Sequence, residues 1–194
     1  GSEMCIRDRQ YIACLDPLGE DRGKTPYALN PEQYGMFLTE LFNLWYEDWK
    51  KGEQPYIRQF ENYIGILLGY QPESCEQRGS CGIQNVVEAD GSVYPCDFYA
   101  LDEYKLGNFN CNRLEEIDKK RKEIAFVEQS QIVAENCKNC KFYKICKGGC
   151  RRNKDFNAMN GEYENYFCKS YRIFFDICLE RMIQIVAVSY THLR

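Results

Sequence analysis

The chain has 194 residues, with 25 Lys or Arg against 29 Asp or Glu, so its formal net charge at pH 7 is −4. This length is enough to bury a hydrophobic core in one domain, or in one domain with an appendage. The negative balance argues against nucleic-acid binding, which requires a basic surface, and no apolar stretch reaches the roughly 20 residues that span a membrane.

The first 70 residues predict one strand and two helices. Residues 11–15 are short and apolar before Asp16-Pro17, which is typical of a late barrel strand followed by a turn. A helix is expected to begin at Asn30-Pro31, a capping residue followed by proline at the first helical position, and to end at Gly52. A second helix is expected over residues 57–68, because its apolar residues also recur every three or four positions.

The sequence changes character at Gln71-Pro72, where we predict the boundary of a cysteine-rich domain. Residues 86–89 and 92–94 predict a β-hairpin, because the Asp90-Gly91 pair between them suits a tight turn. Short helices are expected over residues 113–122 and 124–133, and a closing helix over residues 164–187. Between them, residues 137–150 predict a loop dense in cysteines, in which Gly148-Gly149 allow close backbone approach.

Eight of the twelve cysteines follow one pattern of spacings, C-x5-C-x14-C and then C-x2-C-x5-C-x3-C-x17-C. Short gaps let two sulfurs of one turn reach the same metal or cluster, and longer gaps bring ligands from elsewhere in the fold. Eight thiols suffice for two centres of four thiolates each. Spacing alone permits iron–sulfur clusters or zinc ions, and it does not say which thiols share a centre.

The alternative of a disulfide scaffold is disfavoured. Residues 1–9 are polar and charged, so no signal peptide is predicted. Cytosolic thiols stay reduced, and we therefore expect a cytoplasmic protein whose cysteines bind metal.

The cysteine pattern resembles that of the SPASM domain, the auxiliary-cluster extension of peptide-modifying radical S-adenosylmethionine (SAM) enzymes. Local sequence narrows the resemblance to the anaerobic sulfatase-maturating enzymes: GSVYPCDFY at residues 91–99, LGN at 106–108 and CKGGCRR at 146–152 are similar to that family. So are CLDPL at residues 14–18 and IRQF at 57–60. The resemblance covers roughly residues 10–187.

The resemblance implies an α+β fold: the end of a partial (β/α) barrel, then a SPASM domain with a β-hairpin, short helices and a C-terminal helix. The C-x3-C-x2-C motif of the SAM-cleaving cluster is missing, because Asn153 stands where a third cysteine would follow Cys146 and Cys150. We therefore interpret the chain as the C-terminal part of a longer enzyme, inactive alone. The expected divisions are a barrel remnant with linking helices over 10–71 and the SPASM domain over 72–187.

The two ends fit neither the family nor the adjoining patterns. Residues 1–9 and 188–194 are interpreted as non-native, which removes Cys5 and His192, the single histidine, from functional reasoning. Among the remaining cysteines, Cys178 lies on an apolar helical stripe and is expected to be a small buried hydrophobe. Cys14 is expected to pack, although its place near a strand end is also compatible with a site, and Cys111 is assigned no role.

The resemblance assigns two [4Fe–4S] clusters to interleaved sets of thiols, with no iron left open, so that electron transfer or scaffolding is the implied role. This crossing would couple cluster loading to folding. The first set is Cys75, Cys81, Cys96 and Cys150, and the second set is Cys137, Cys140, Cys146 and Cys168.

The resemblance also assigns catalysis to Asp97, as the general base that deprotonates the target side chain. If the segment is extended, Asp97 and its neighbour Cys96 point to opposite faces, with the cluster on one side and the base on the other. The alternative is a turn aspartate bonded to backbone. Arg151 and Arg152 follow Cys150 and are either ordinary surface arginines or positive charges that raise a cluster's potential.

The implied reaction is oxidation of a cysteine or serine of a sulfatase to Cα-formylglycine. A SAM-derived 5′-deoxyadenosyl radical would take a β-hydrogen, Asp97 the side-chain proton, and the auxiliary clusters the remaining electron. SAM and a third [4Fe–4S] cluster are expected in the missing half, and the expected partners are a sulfatase polypeptide and an electron donor such as ferredoxin or flavodoxin. The alternatives are another SPASM peptide maturase, such as a thioether-forming one, and a non-enzymatic double-zinc interaction module.

Overall fold

The computed structural model describes residues 9–53 and 55–192, a mixture of helices and small antiparallel sheets. The helices are α1 Pro31–Lys50, α2 Arg58–Leu67, α3 Cys75–Arg78, α4 Leu114–Glu123, α5 Phe126–Ser130, α6 Glu135–Lys138, α7 Tyr143–Cys146 and α8 Cys168–His192. The strands are β1 Val86–Val87, β2 Ser92–Tyr94, β3 Gly107–Asn108, β4 Lys154–Asn157 and β5 Glu162–Asn165. Turns of 3₁₀ helix lie at Asp97–Tyr99, Asp102–Tyr104 and Arg151–Asn153.

Both predicted helices of the first 70 residues are confirmed. The side chain of Asn30 accepts a hydrogen bond of 2.8 Å from the Gln33 N–H, and Pro31 occupies the first position of α1. This cap satisfies one of the amide groups that an α-helix leaves without a partner at its start. Helix α1 ends at Lys50, two residues before Gly52, and α2 lies within the expected residues 57–68.

Helices α1, α2 and α8 enclose the main core, which is rich in aromatic side chains. The ring of Phe174 on α8 lies 5.9 Å from that of Phe42 and 5.8 Å from that of Phe60. Where α1 crosses α8, a Cβ on Gly35 would lie 3.0 Å from the Cα of Ser170, so the two backbones are nearly in contact. This close packing fixes the start of α8 and therefore the position of Cys168.

The predicted hairpin is confirmed and carries a third strand that the pattern did not predict. Val86 pairs with Tyr94 across the antiparallel β1–β2 ladder, and β3 adds to the other edge of β2. Gly91 turns the chain with φ +84°, a conformation that glycine adopts without strain. Val93 of this sheet packs with Leu106 and with Ile117 of α4 in a small second core.

The strand expected over residues 11–15 is not formed. The one bridge recorded nearby, within the described part of the chain, joins Arg9 to Ile57 in parallel. A strand needs a neighbour that completes its hydrogen-bond ladder, and residues 11–15 have none among the described residues. The described residues accordingly contain no parallel barrel sheet.

Two helix boundaries also differ from the prediction. The closing helix begins at Cys168 rather than at residue 164, because Glu162–Asn165 pairs with Lys154–Asn157 in a second hairpin that was not predicted. The helix expected over 124–133 is limited to Phe126–Ser130, since Ala125 adopts a left-handed conformation with φ 47°. Helix α8 continues to His192, into the segment interpreted as non-native, whereas Cys5 lies outside the described residues.

None of the helices in the described part of the chain is long and apolar enough to cross a membrane.

Replacing Phe174 by alanine should destabilise the protein strongly, because its side chain is fully buried among aromatic rings. We expect the free energy of unfolding to fall by about 3–5 kcal/mol, as measured by urea unfolding followed by circular dichroism. Ile177→Ala on the same helix is the control, since Ile177 is 52% exposed and its loss should cost about 0.5 kcal/mol. Equal losses for the two variants would contradict this description of the core.

Candidate metal centre

The four thiols of the second set line a single cavity of about 620 Å³. Cys137 lies in α6, Cys146 ends α7 and Cys168 begins α8 at the solvent-exposed rim. Cys140 lies between the two short helices, and its N–H donates to the Cys137 carbonyl over 3.1 Å. Three separate helices thus direct these thiols into one space.

The first set surrounds much less space. Cys75, Cys81 and Cys150 line a cavity of about 10 Å³, and Cys75 and Cys150 also line an adjoining cavity of about 270 Å³. Cys96, two residues after β2, lies near Cys81. Four thiols suit an iron–sulfur cluster as donors, but a cluster in this position would require the thiols of the first set to move apart.

A left-handed turn separates the two sets. Lys147, Gly148 and Gly149 all have positive φ, at 54°, 84° and 71°. Three successive left-handed residues reverse the chain between Cys146 and Cys150. These two thiols, only four positions apart, therefore line different cavities.

Electrostatic contacts among the thiols follow the same division. Cys150 is influenced by Cys75 and Cys81, and Cys96 by Cys81, all within the first set. In the second set, Cys137 is influenced by Cys168 and Cys140, and Cys146 by Cys168 and Cys137. The sets named from the family resemblance are thus groups of close neighbours in the fold.

In the described residues, no three Cys, His, Asp or Glu side chains converge at the spacing of a single-ion site. A four-sulfur zinc site requires its sulfurs to lie about 2.3 Å from one point. The thiols of the two sets instead line cavities, and they do not converge on one point.

Burial raises the pKa of these thiols. The pKa of Cys96 and that of Cys146 rise to about 12, and those of Cys81, Cys137 and Cys150 also rise, in each case chiefly because burial disfavours the thiolate. Such thiols keep their protons at neutral pH unless a positive group compensates. A bound metal provides that compensation, and its binding releases the thiol protons.

Asp97 and Cys96 do not point to opposite faces as predicted. Cys96 has extended backbone angles, but Asp97 begins a 3₁₀ turn, so the alternation of the strand ends between them. The Cys96 thiol donates to Oδ1 of Asp97 over 3.1 Å. A thiolate that binds metal has no proton to donate, so this contact belongs to the metal-free form. Asp97 also lines the 270 Å³ cavity, together with Cys75 and Cys150.

Neither arginine after Cys150 is an ordinary surface residue. Arg151 donates to the Phe126 carbonyl over 2.8 Å, and its guanidinium lies 4.5 Å from the centre of the Phe126 ring. Arg152 is 6% exposed and donates to the carbonyl of Asp16. The positive charge of Arg151 lowers the pKa of Cys81, against the larger effect of burial.

Sequence reasoning missed two polar groups between the sets. The Glu76 carboxyl accepts a hydrogen bond from the Tyr171 hydroxyl, and burial raises its pKa. Glu76 acts on the pKa of Cys146 in the second set and of Cys150 in the first. The second group is the Lys154 ammonium. Glu76 could have been proposed from the sequence because it follows Cys75, whereas no feature of the sequence marks Lys154.

The remaining cysteines lie apart from both sets. Cys178 is fully buried in the main core, as predicted. Cys14 is exposed, so the expectation that it packs is wrong, although its neighbours Ala13 and Leu15 do contact the core. Cys111 is exposed in the turn after β3.

The turn between the sets should not tolerate a side chain at Gly149. A Cβ there would lie 2.4 Å from Nδ2 of Asn165, whereas one at Gly161, with a similar φ of 73°, meets nothing within 4 Å. Gly161→Ala should therefore cost about 1–2 kcal/mol of unfolding free energy, for backbone strain alone. Gly149→Ala should cost about 1–3 kcal/mol more, for overpacking, and urea unfolding of both variants measures the difference. Equal losses of unfolding free energy in the two variants would show that the turn can accommodate a side chain at Gly149.

Comparison with known proteins gives a consistent result. The model of the SPASM family, an iron-sulfur cluster-binding domain, matches residues 75–141. A cysteine-type anaerobic sulfatase-maturating enzyme of Clostridium perfringens (strain 13 / Type A) is 45% identical over 176 residues, which are 91% of this chain and 48% of that protein. A serine-type anaerobic sulfatase-maturating enzyme of Bacteroides thetaiotaomicron is 33% identical over 172 residues, which are 87% of this chain and 41% of that protein.

The fold agrees with the sequence match. The solved structure of native anSMEcpe with bound AdoMet and Cp18Cys peptide superposes with a TM-score of 0.84 and 43% identity, over 92% of this chain and 49% of that one. The chain spans about half the length of the relatives it matches. Through this sequence and structural similarity, the chain belongs to the anaerobic sulfatase-maturating enzymes and carries their SPASM domain.

Proposed function

We propose that this chain is the C-terminal, auxiliary-cluster part of a radical SAM enzyme that oxidises a sulfatase residue to Cα-formylglycine. The proposal depends on the division of eight thiols into two groups of four: the second set lines one cavity, and in the first set Cys75, Cys81 and Cys150 line another, with Cys96 near Cys81. The first set would hold one [4Fe–4S] cluster and the second set the other.

The chain's own residues would bind the clusters from distant segments. The first set joins α3, the segment after α3, the segment after β2 and the residue after the left-handed turn. The second set joins α6, α7 and α8. When bound, the clusters would supply one-electron acceptors, and SAM with a third cluster, in the remainder of the enzyme, would supply the radical.

The 270 Å³ cavity is the proposed position of the target side chain. Asp97 lines it beside Tyr11, Arg58 and Arg152, so a carboxylate able to take a proton lies among groups that donate hydrogen bonds. The solved anSMEcpe structure contains a bound peptide, and we infer that a sulfatase segment reaches this cavity. Asp97 would take the proton of the target side chain, and the arginines would orient the peptide carbonyls.

We propose cysteine as the target residue. Three cysteine-type enzymes are 43–45% identical to the chain, against 25–33% for three serine-type enzymes. We also propose the division into a SPASM domain over 72–187 and a barrel remnant with linking helices over 10–71. A cytoplasmic location, with ferredoxin or flavodoxin as electron donor, completes the proposal.

Metal analysis of the anaerobically reconstituted chain tests the two centres. We expect about eight iron and eight sulfide per chain, with the brown absorption of such clusters. Cys81→Ala removes a ligand of the first set and Cys168→Ala one of the second, so each should reduce iron and sulfide by up to half. Cys111→Ala, at an exposed thiol outside both sets, is the control and should change neither. Zinc without sulfide would contradict the cluster assignment and favour the double-zinc module.

Asp97→Asn tests the base in the complete enzyme, with the SAM-cleaving half restored. An amide cannot accept the target proton, so the rate of formylglycine formation should fall by about 100-fold or more, while iron content stays unchanged. Mass spectrometry of a sulfatase peptide measures the rate, with cysteine and serine versions of the peptide compared. Asp102→Asn, at an exposed carboxylate in the next 3₁₀ turn, is the matched control. An unchanged rate in Asp97→Asn would remove the proposed role.

A further inference from the structure

Lys154, the first residue of β4, has a partly buried ammonium group. Its Nζ donates to two main-chain carbonyls, that of Ser130 over 2.9 Å and that of Ile132 over 3.0 Å, rather than to a carboxylate. The side chain is partly buried, and burial lowers the pKa of the ammonium. Two carbonyls leave the positive charge largely uncompensated, so it acts on its surroundings.

On one side this ammonium adjoins the first set. Ser130, whose carbonyl it binds, accepts through Oγ a hydrogen bond of 2.8 Å from the Cys81 N–H. Ser130 lines the same cavity as Cys75, Cys81 and Cys150. The anchor of Lys154 is therefore part of the wall of the first centre.

On the other side it adjoins the second set. A Cβ at Gly148 would lie 3.9 Å from the Lys154 Cε, and Gly148 lines the second-set cavity. Asn165, paired with Lys154 across the β4–β5 ladder, donates to the Gly148 carbonyl over 2.9 Å and lines that cavity as well. The second hairpin thus holds the lysine between the two centres.

The reach of the charge agrees with this placement. The ammonium lies near enough to Cys81 of the first set and to Cys137 of the second set for its charge to act on both thiols. Arg151 acts on Cys81 of the first set.

We propose that Lys154 is a positive charge shared by the two auxiliary clusters, which raises the reduction potential of both. The inference rests on the proposed function, since it assumes a cluster in each set. One-electron reduction adds a negative charge to a centre that four thiolates already make negative, so a fixed cation nearby stabilises the reduced form of each. By raising both potentials, Lys154 would help both centres to accept an electron.

The test is a redox titration of the anaerobically loaded full chain, followed by electron paramagnetic resonance. Dithionite donates one electron to each centre. Lys154→Met removes the charge but keeps most of the side-chain volume, and it should lower the equilibrium constant for reduction of both centres about tenfold, which is 59 mV in each midpoint potential. Lys154→Arg keeps the charge, so its equilibrium constants for reduction should stay within about twofold of those of the chain without substitutions. Lys144→Met, at an exposed lysine between two proposed ligands, is the control and should change neither potential.

Iron and sulfide analysis of each variant separates the possible failures. If the chain without substitutions binds no iron and sulfide on reconstitution, the proposed function itself is wrong. If Lys154→Met binds both clusters and neither midpoint potential changes, this inference alone is wrong. If only one midpoint potential shifts, the charge is not shared by the two clusters. Lys154→Gln serves as a second uncharged variant: if both it and Lys154→Met fail to load while Lys154→Arg loads, Lys154 is required for assembly and the tuning role is wrong.

Discussion

The left-handed turn at Lys147, Gly148 and Gly149 is the constraint on which the rest of the site depends. It sends Cys146 and Cys150 into different cavities, although continuous α-helix would place residues four apart on one face. The turn also requires glycine for lack of space, because a side chain at Gly149 would collide with Asn165 of the second hairpin. A backbone conformation that favours glycine therefore separates the thiols that line one cavity from those that line the other.

The aromatic core fixes the position of Cys168, the last thiol of the second set. Cys168 begins α8, and α8 is held against α1 by a near contact of backbones at Gly35 and by the buried rings of Phe42 and Phe174. Interiors packed at this density transmit position accurately. The thiol at the rim of the second cavity is thus positioned by residues that do not line that cavity.

Burial and charge have opposing effects on the thiols. Burial raises the pKa of Cys81 and that of Cys137, while Lys154 lowers both and Arg151 lowers that of Cys81. Binding of the proposed clusters would replace the thiol protons with iron and so remove this conflict. On that proposal, cluster loading and folding would depend on each other.

The local elements and the kind of chemistry could be predicted from the sequence: Asn30-Pro31 starts α1, Asp90-Gly91 turns the hairpin, and eight spaced cysteines indicate two four-thiolate centres. These features depend on residues close together in the chain. The strand expected at residues 11–15 and the opposed faces of Cys96 and Asp97 were wrong, since a strand requires a partner and the extended backbone ends at Asp97. The place of Lys154 between the two sets could not be predicted in this way, because it depends on the pairing of β4 with β5 and on carbonyls more than 20 residues away.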